Sequence, residues 1–190
     1  THPVTLSAMI NLGVAAIRRG DLETAEPFLV EAIDGFAATY GLDHPKALIA
    51  QNNLAYLYED TNRDDLAEPL YREVLETRLR VIGPSHPDTL AGMNNLAMLL
   101  QRTGRAEEAV AYFKQCAETA IETIGADHPF TAIFENNYGD CLIDLDRYDE
   151  AIELISRSGD VLTATLGPEH ERSVRSRGRL ARAEAGKAAE

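Results

Sequence analysis

The chain has 190 residues, 45% of them hydrophobic and 26% charged, a balance that supplies a buried core and excludes an intrinsically disordered chain. Its formal net charge of −13 speaks against a nucleic-acid partner held by phosphate neutralisation, and no run nears the roughly 20 apolar residues of a membrane-spanning helix. Two cysteines, Cys116 and Cys141, are too few for a disulfide scaffold and, with no visible signal peptide, predict a reducing, cytoplasmic setting.

One period organises the sequence. His2, His44, His86, His128 and His170 stand 42 residues apart. The first four are followed by proline. Eight residues further on come Ile10-Asn11, Asn52-Asn53, Asn94-Asn95 and Asn136-Asn137. Ala25, Ala67, Ala109 and Ala151 share a register, with Leu29, Tyr71, Phe113 and Ile155 four positions later and Gly41, Gly83, Gly125 and Gly167 closing each copy. This self-similarity predicts a tandem array of four units, about 2–43, 44–85, 86–127 and 128–169, with a cap over 170–190, all in one domain, 1–190.

In chain order, each unit reads as two antiparallel helices. The first breaks at Gly20-Asp21 and the second at Asn62-Arg63, both sound turn chemistry. Pro27 and Pro69 fall early in the second helices of these units and predict local bends. In the third unit, Pro87 suits a first helical turn. Leu90, Met93, Leu96, Ala97 and Leu100 then recur at helical spacing to about Arg102. Thr103-Gly104-Arg105 ends that helix, and a second is predicted from about Ala106 to Ile124, stopped by Gly125. The fourth unit breaks at Asp146-Arg147. No segment alternates with period two, so no strand is expected. The fifth copy is incomplete: His170 precedes Glu171 instead of proline, and residues 171–190 hold six basic residues against three acidic. A polar capping helix from Glu171 to about Ala185 is predicted.

The pattern Leu96-Ala97…Leu100…Ala109…Phe113, like Leu54-Ala55…Tyr58…Ala67…Tyr71, resembles the tetratricopeptide repeat. The unit is longer than that family's usual 34 residues. The His-Pro-x-Thr-Leu entry, the Asn-Asn-Leu-Ala core and the second-helix run from Ala67 to Glu73 resemble the long repeats of kinesin light chains. The resemblance implies an all-α fold: a right-handed superhelical solenoid of antiparallel helix pairs, first helices on the concave side, performing no chemistry of its own.

By the same resemblance, Asn52, Asn94 and Asn136 fall where the first helices face the concave groove, with amides able to bond a peptide backbone. Asn11, Asn53, Asn95 and Asn137 are expected to turn toward the adjacent helix. A purely structural role stays open for both sets. Residues one turn from the groove asparagines share their face. These are Ile49, Tyr56, Glu59 and Asp60; Ala91, Met98, Gln101 and Arg102; and Ile133, Asp140, Ile143 and Asp144. Val14, Ile17 and Arg18 belong to the first unit. Kinesin light chains use a comparable groove for acidic peptides with an aromatic anchor, but Glu59, Asp60, Asp140 and Asp144 here outnumber Arg18 and Arg102. An apolar or basic segment therefore fits the charges better.

Chemistry finds no foothold. Equivalent histidines in successive repeats lie a helix-packing distance apart, roughly 8–10 Å, too far to share a metal ion. No nucleophile–base pair, glycine-rich phosphate loop or marked carboxylate pair stands out, and no cofactor is expected. The reading is a non-catalytic module that binds a protein or peptide in its groove, the sensor or scaffold part of a larger protein, with neither nucleic acid nor membrane as partner. The start in register at His2-Pro3 leaves room for further repeats or another domain before it. The alternative is a self-assembly module, a homo-oligomer packing through Met9, Leu12 and Ala16 of its first repeat.

Overall fold

The computed structural model describes residues 2–189, and the described residues hold nine helices and no strand. They divide into two compact units, 1–84 and 85–190. The first contains α1 (Pro3–Arg18), α2 (Leu22–Tyr40), α3 (Pro45–Asp60) and α4 (Asp64–Val81); the second contains α5 (Pro87–Arg102), α6 (Ala106–Ile124), α7 (Pro129–Ile143), α8 (Tyr148–Leu166) and α9 (Glu171–Lys187). The fold is an all-α helical repeat of the solenoid class. Among the described residues, no helix is long and apolar enough to cross a membrane.

The histidine period has a local cause. At His2, His44, His86, His128 and His170 the ring Nδ1 accepts the backbone N–H two residues on, at 3.1–3.3 Å. Each histidine thereby caps its helix, a task usually left to Ser, Thr, Asp or Asn, while proline in the first turn lacks an N–H there to satisfy. The second helices start differently. Asp21 caps α2 through Thr24 N. Arg63, Arg105 and Arg147 precede α4, α6 and α8 without a side-chain cap; paired acids in each first turn face the positive end of the helix dipole instead. The turn between the two helices needs a left-handed residue, supplied by Gly20 and Gly104 in two units and by Asn62 and Asp146, both at φ 56°, in the others. Asn and Asp tolerate that conformation best after glycine. α2 and α4 run on through Pro27 and Pro69.

Within each pair the small-residue register sets the spacing. Gly13 meets Leu29 so closely that an added Cβ would stand 2.9 Å from its Cγ; at Gly139 the same atom would lie 2.5 Å from Ile155 Cγ1. Leu29 and Ile155, and Tyr71 and Phe113 at the equivalent position, are all buried. In the first unit, Leu6, Ile10, Ala32 and Phe36 pack with Ala47 and Ala50 of the next pair, so one pair's exposed face becomes the next pair's core.

Candidate functional site

In the first unit, α1 and α3 form a shallow recess of about 450 Å³ lined by Val14, Ile17, Arg18, Asn53, Tyr56 and Asp60. Tyr56 stands half out of it, and Asn53 Nδ2 donates to its own helix at Ile49 O, 2.9 Å away. Asn52 and Glu59 turn the other way, toward α4: the buried Arg78 reaches Asn52 Oδ1 at 3.5 Å, and Tyr71 Oη donates to Glu59 at 3.0 Å.

The second unit carries the larger opening, about 710 Å³, with α5, α7 and α9 each contributing to its wall. Met98, Phe130 and Ile133 give it an apolar surface, Asn94, Asn95 and Asn137 line its polar side, and Arg172 and Arg175 stand at the α9 edge. A hydrogen-bonded chain runs across the three helices, and Asn94, Asn136, Asn137 and Arg179 in it line the opening. Gln101 Nε2 donates to Asp144 at 2.6 Å, and Arg182 bonds the other oxygen of Asp144 at 3.0 Å. Arg182 and Arg179 both pair with Asp140, at 3.2 and 3.0 Å. Arg179 donates onward to Asn136 Oδ1 at 2.8 Å and Asn137 Oδ1 at 3.0 Å. Asn137 Nδ2 reaches Asn94 Oδ1 at 2.9 Å, and Asn94 Nδ2 faces Met98 Sδ at 3.3 Å. Burial disfavours the Arg179 charge and lowers its pKa, against the pull of Asp140 beside it.

The predicted residues are thus only partly brought together. Met98, Ile133 and Asn94 line the cavity, as do Ile49 and Tyr56 the exposed surface of α3, while Arg102 is exposed at the end of α5. Asn136 borders the same opening but is buried, donating to Ser158 Oγ at 3.2 Å and Ser176 Oγ at 2.6 Å, so its amide is engaged inside the unit. Its neighbour Asn137, expected to turn inward, lines the opening as well and is the less buried of the two. The cause is legible in the register. Asn52, Asn94 and Asn136 stand three residues before the buried Ala55, Ala97 and Gly139, and so share that inward face. Asp140 belongs to the ion-pair chain, its side chain only 16% exposed.

The charge count changes too. Asp140 and Asp144, read as free acids on the groove, are neutralised by Arg179 and Arg182. The sequence reads these arginines only as part of a polar capping helix. Their signal was available: Arg179 and Arg182 lie 42 residues after Asn137 and Asp140, in the registers of the preceding first helices. Of the three residues offered for self-association, Leu12 is exposed, Ala16 is buried and Met9 packs against the core.

The thiols are structural. Cys116 Sγ donates to Leu90 O at 3.2 Å and Cys141 Sγ to Ala106 O at 3.5 Å, and burial pushes both up to about 12. A thiolate nucleophile is correspondingly disfavoured at neutral pH.

Two family models described as tetratricopeptide repeat match the sequence, over residues 4–80 and 89–130, together more than half of the chain. No curated protein matches it. Among solved structures, the nearly identical TPR-like repeats of a Podosopora anserina kinesin light chain candidate are 25% identical, with a TM-score of 0.83 over 100% of this chain and 90% of that one. BtubC (BKLC) from P. vanneervenii is 20% identical at a TM-score of 0.77, covering 97% of this chain and 77% of its own. The apo form of RapI is 16% identical at 0.82, covering 96% and 64%. The last two are likenesses of fold.

Proposed function

This chain belongs to the tetratricopeptide repeat family, a scaffold for protein–protein interaction, and from that premise we propose that it is a non-catalytic module holding a segment of a partner protein in the opening lined by α5, α7 and α9. The observation that carries the reading is apolar surface left uncovered at one recess. Phe130 is 60% exposed and Met98 41% exposed there, beside Ile133. A partner side chain seated between them gains by removing that surface from water.

The same geometry refines the partner. Its anchor is apolar, as the sequence suggested. Beside α9, Arg175 is paired with Glu171, and Arg172 is the cation at that edge that favours a carboxylate on the incoming segment over a basic group. Asn95 and Asn137 are the amides more open to a bound backbone, while Asn94 and Asn136, buried at the edge of the opening, also fix the helices. The unbroken 42-residue register supports reading residues 1–190 as one repeat domain, and the reduced, buried thiols fit a cytoplasmic setting.

Capture from native lysate by the wild type and by a Phe130→Ser, Ile133→Ser double variant tests this, with circular dichroism confirming that both fold. Loss of a specific partner by the folded variant is expected. Equal capture of that partner by both places its binding elsewhere.

A further inference from the structure

α9 differs from the other helices in what it buries. Its fully buried residues are Ser173, Ser176 and Ala183, with Leu180 half-buried. α7, at the equivalent place in the preceding repeat, buries Phe134, Tyr138, Leu142 and Ile143. The apolar surface that secures α9 is therefore small, since burial energy scales with apolar area.

Polar contacts take over. Ser176 Oγ accepts from Asn136, and Arg179 holds Asn136, Asn137 and Asp140. Arg182 bridges Asp140 and Asp144, and Lys187 pairs with Asp149 near the helix end. These partners lie on α7, on its C-cap residue Asp144, or on α8, so a single motion of α9 breaks the whole clasp. The outer pairs are exposed, with Arg182 at 53% and Asp144 at 42%, and are open to screening by salt. The inner pair, Arg179 and Asp140 at 15% and 16%, is shielded and decides whether the helix stays.

α9 also supplies one wall of the recess: Glu171, Arg172, Arg175 and Arg179 all line it. We infer that α9 is a releasable wall of this opening, clasped to α7 and α8 by Arg179 and Arg182 and able to leave while α5–α8 stay folded. Its departure removes the arginines from the recess and bares Asn136, Ser158 and Leu162. The inference concerns how the proposed partner site is regulated and rests on that reading for its purpose, not for its motion.

Hydrogen exchange on the full chain, without partner, tests the motion. In the wild type, α9 amides are expected to exchange at least about tenfold faster than those of α7 and α8, local opening being less costly than global unfolding. Raising salt from roughly 0.05 to 0.5 M should speed α9 several-fold and leave α5–α8 within about twofold. Arg179→Met should raise α9 exchange by about tenfold at low salt, and Arg182→Met by less, again with α5–α8 nearly unchanged. Two outcomes overturn the inference: α9 exchanging in step with α7 and α8, or Arg179→Met deprotecting α5–α9 together. Because no partner is present, failure of the binding reading leaves this result untouched, and the reverse also holds.

Discussion

Asn137 Nδ2 donates to Asn94 Oδ1 at 2.9 Å, joining the second asparagine of one repeat to the first asparagine of the repeat before it. The Asn-Asn pair is thus a coupling device. In α7 the first member is held inside and the second spans to α5, whereas in α3 the second member, Asn53, bonds back to its own helix at Ile49 O. Asn is a poor mid-helix residue, and at α7 both members of the pair are spent on bonds to other helices.

The inward asparagine predicts a stability cost without any partner. Asn136→Ala leaves Ser158, Ser176 and Arg179 short of a bonding group in a buried setting, which should cost about 1–3 kcal/mol. Urea unfolding of the variant against wild type measures it. A change under about 0.5 kcal/mol, the scale of an ordinary surface substitution, would mean the amide is dispensable.

Close packing at the small-residue register predicts a second cost. Gly139→Val places atoms where Ile155 already sits, with Ala151 O 3.4 Å from the first of them. Overpacking of this kind costs about 1–3 kcal/mol. Thermal unfolding should show a lowered midpoint, and an unchanged one would show that α7 and α8 can part without penalty.

Acid should weaken the Glu26 contact. Arg63 donates to both carboxylate oxygens, at 3.2 and 2.8 Å, and this bonding holds the Glu26 pKa below its ordinary value of 4.5. A carboxylate depressed in the folded state adds stability above its unfolded pKa and loses it as pH falls through the folded one. Both side chains are about one-third exposed, so the contribution is a few tenths to about 1 kcal/mol. Glu26→Gln should be less stable than wild type at neutral pH, with the gap closing below about pH 4. A gap that widens on acidification contradicts the assignment.

The thiols give a labelling prediction. With Cys116 and Cys141 both pushed up to about 12 by burial, neither should react with a thiol-disulfide reagent in the native protein at neutral pH, and both should after denaturation. Rapid native labelling of either would show that its helix pair opens readily.

Much of this was legible in the sequence. The 42-residue period located the entries of α1, α3, α5, α7 and α9, and glycines marked where second helices end. Both boundaries of α5 and α6 fall where Pro87, Thr103 and Gly125 put them. The rotation of the first helices was harder. A shift of one residue turns a helix by about 100°, enough to exchange the inward and outward asparagines, and the sequence offers both as the same residue type. The role of α9 was hidden differently: arginine on a terminal helix suits solvent, and only its register against Asn137 and Asp140 shows that it faces α7.

That register has a consequence for any bound segment. Identical repeats offer identical footholds, and a ligand on such a surface can slip by one unit at no cost. At a single position the helices α5, α7 and α9 present Asn95, Asn137 and then Arg179, two neutral groups followed by a cation. The last position is already taken, its guanidinium spent on Asp140, Asn136 and Asn137, so the repetition ends there and a guest on the proposed site meets a boundary that gives it a phase as well as an affinity.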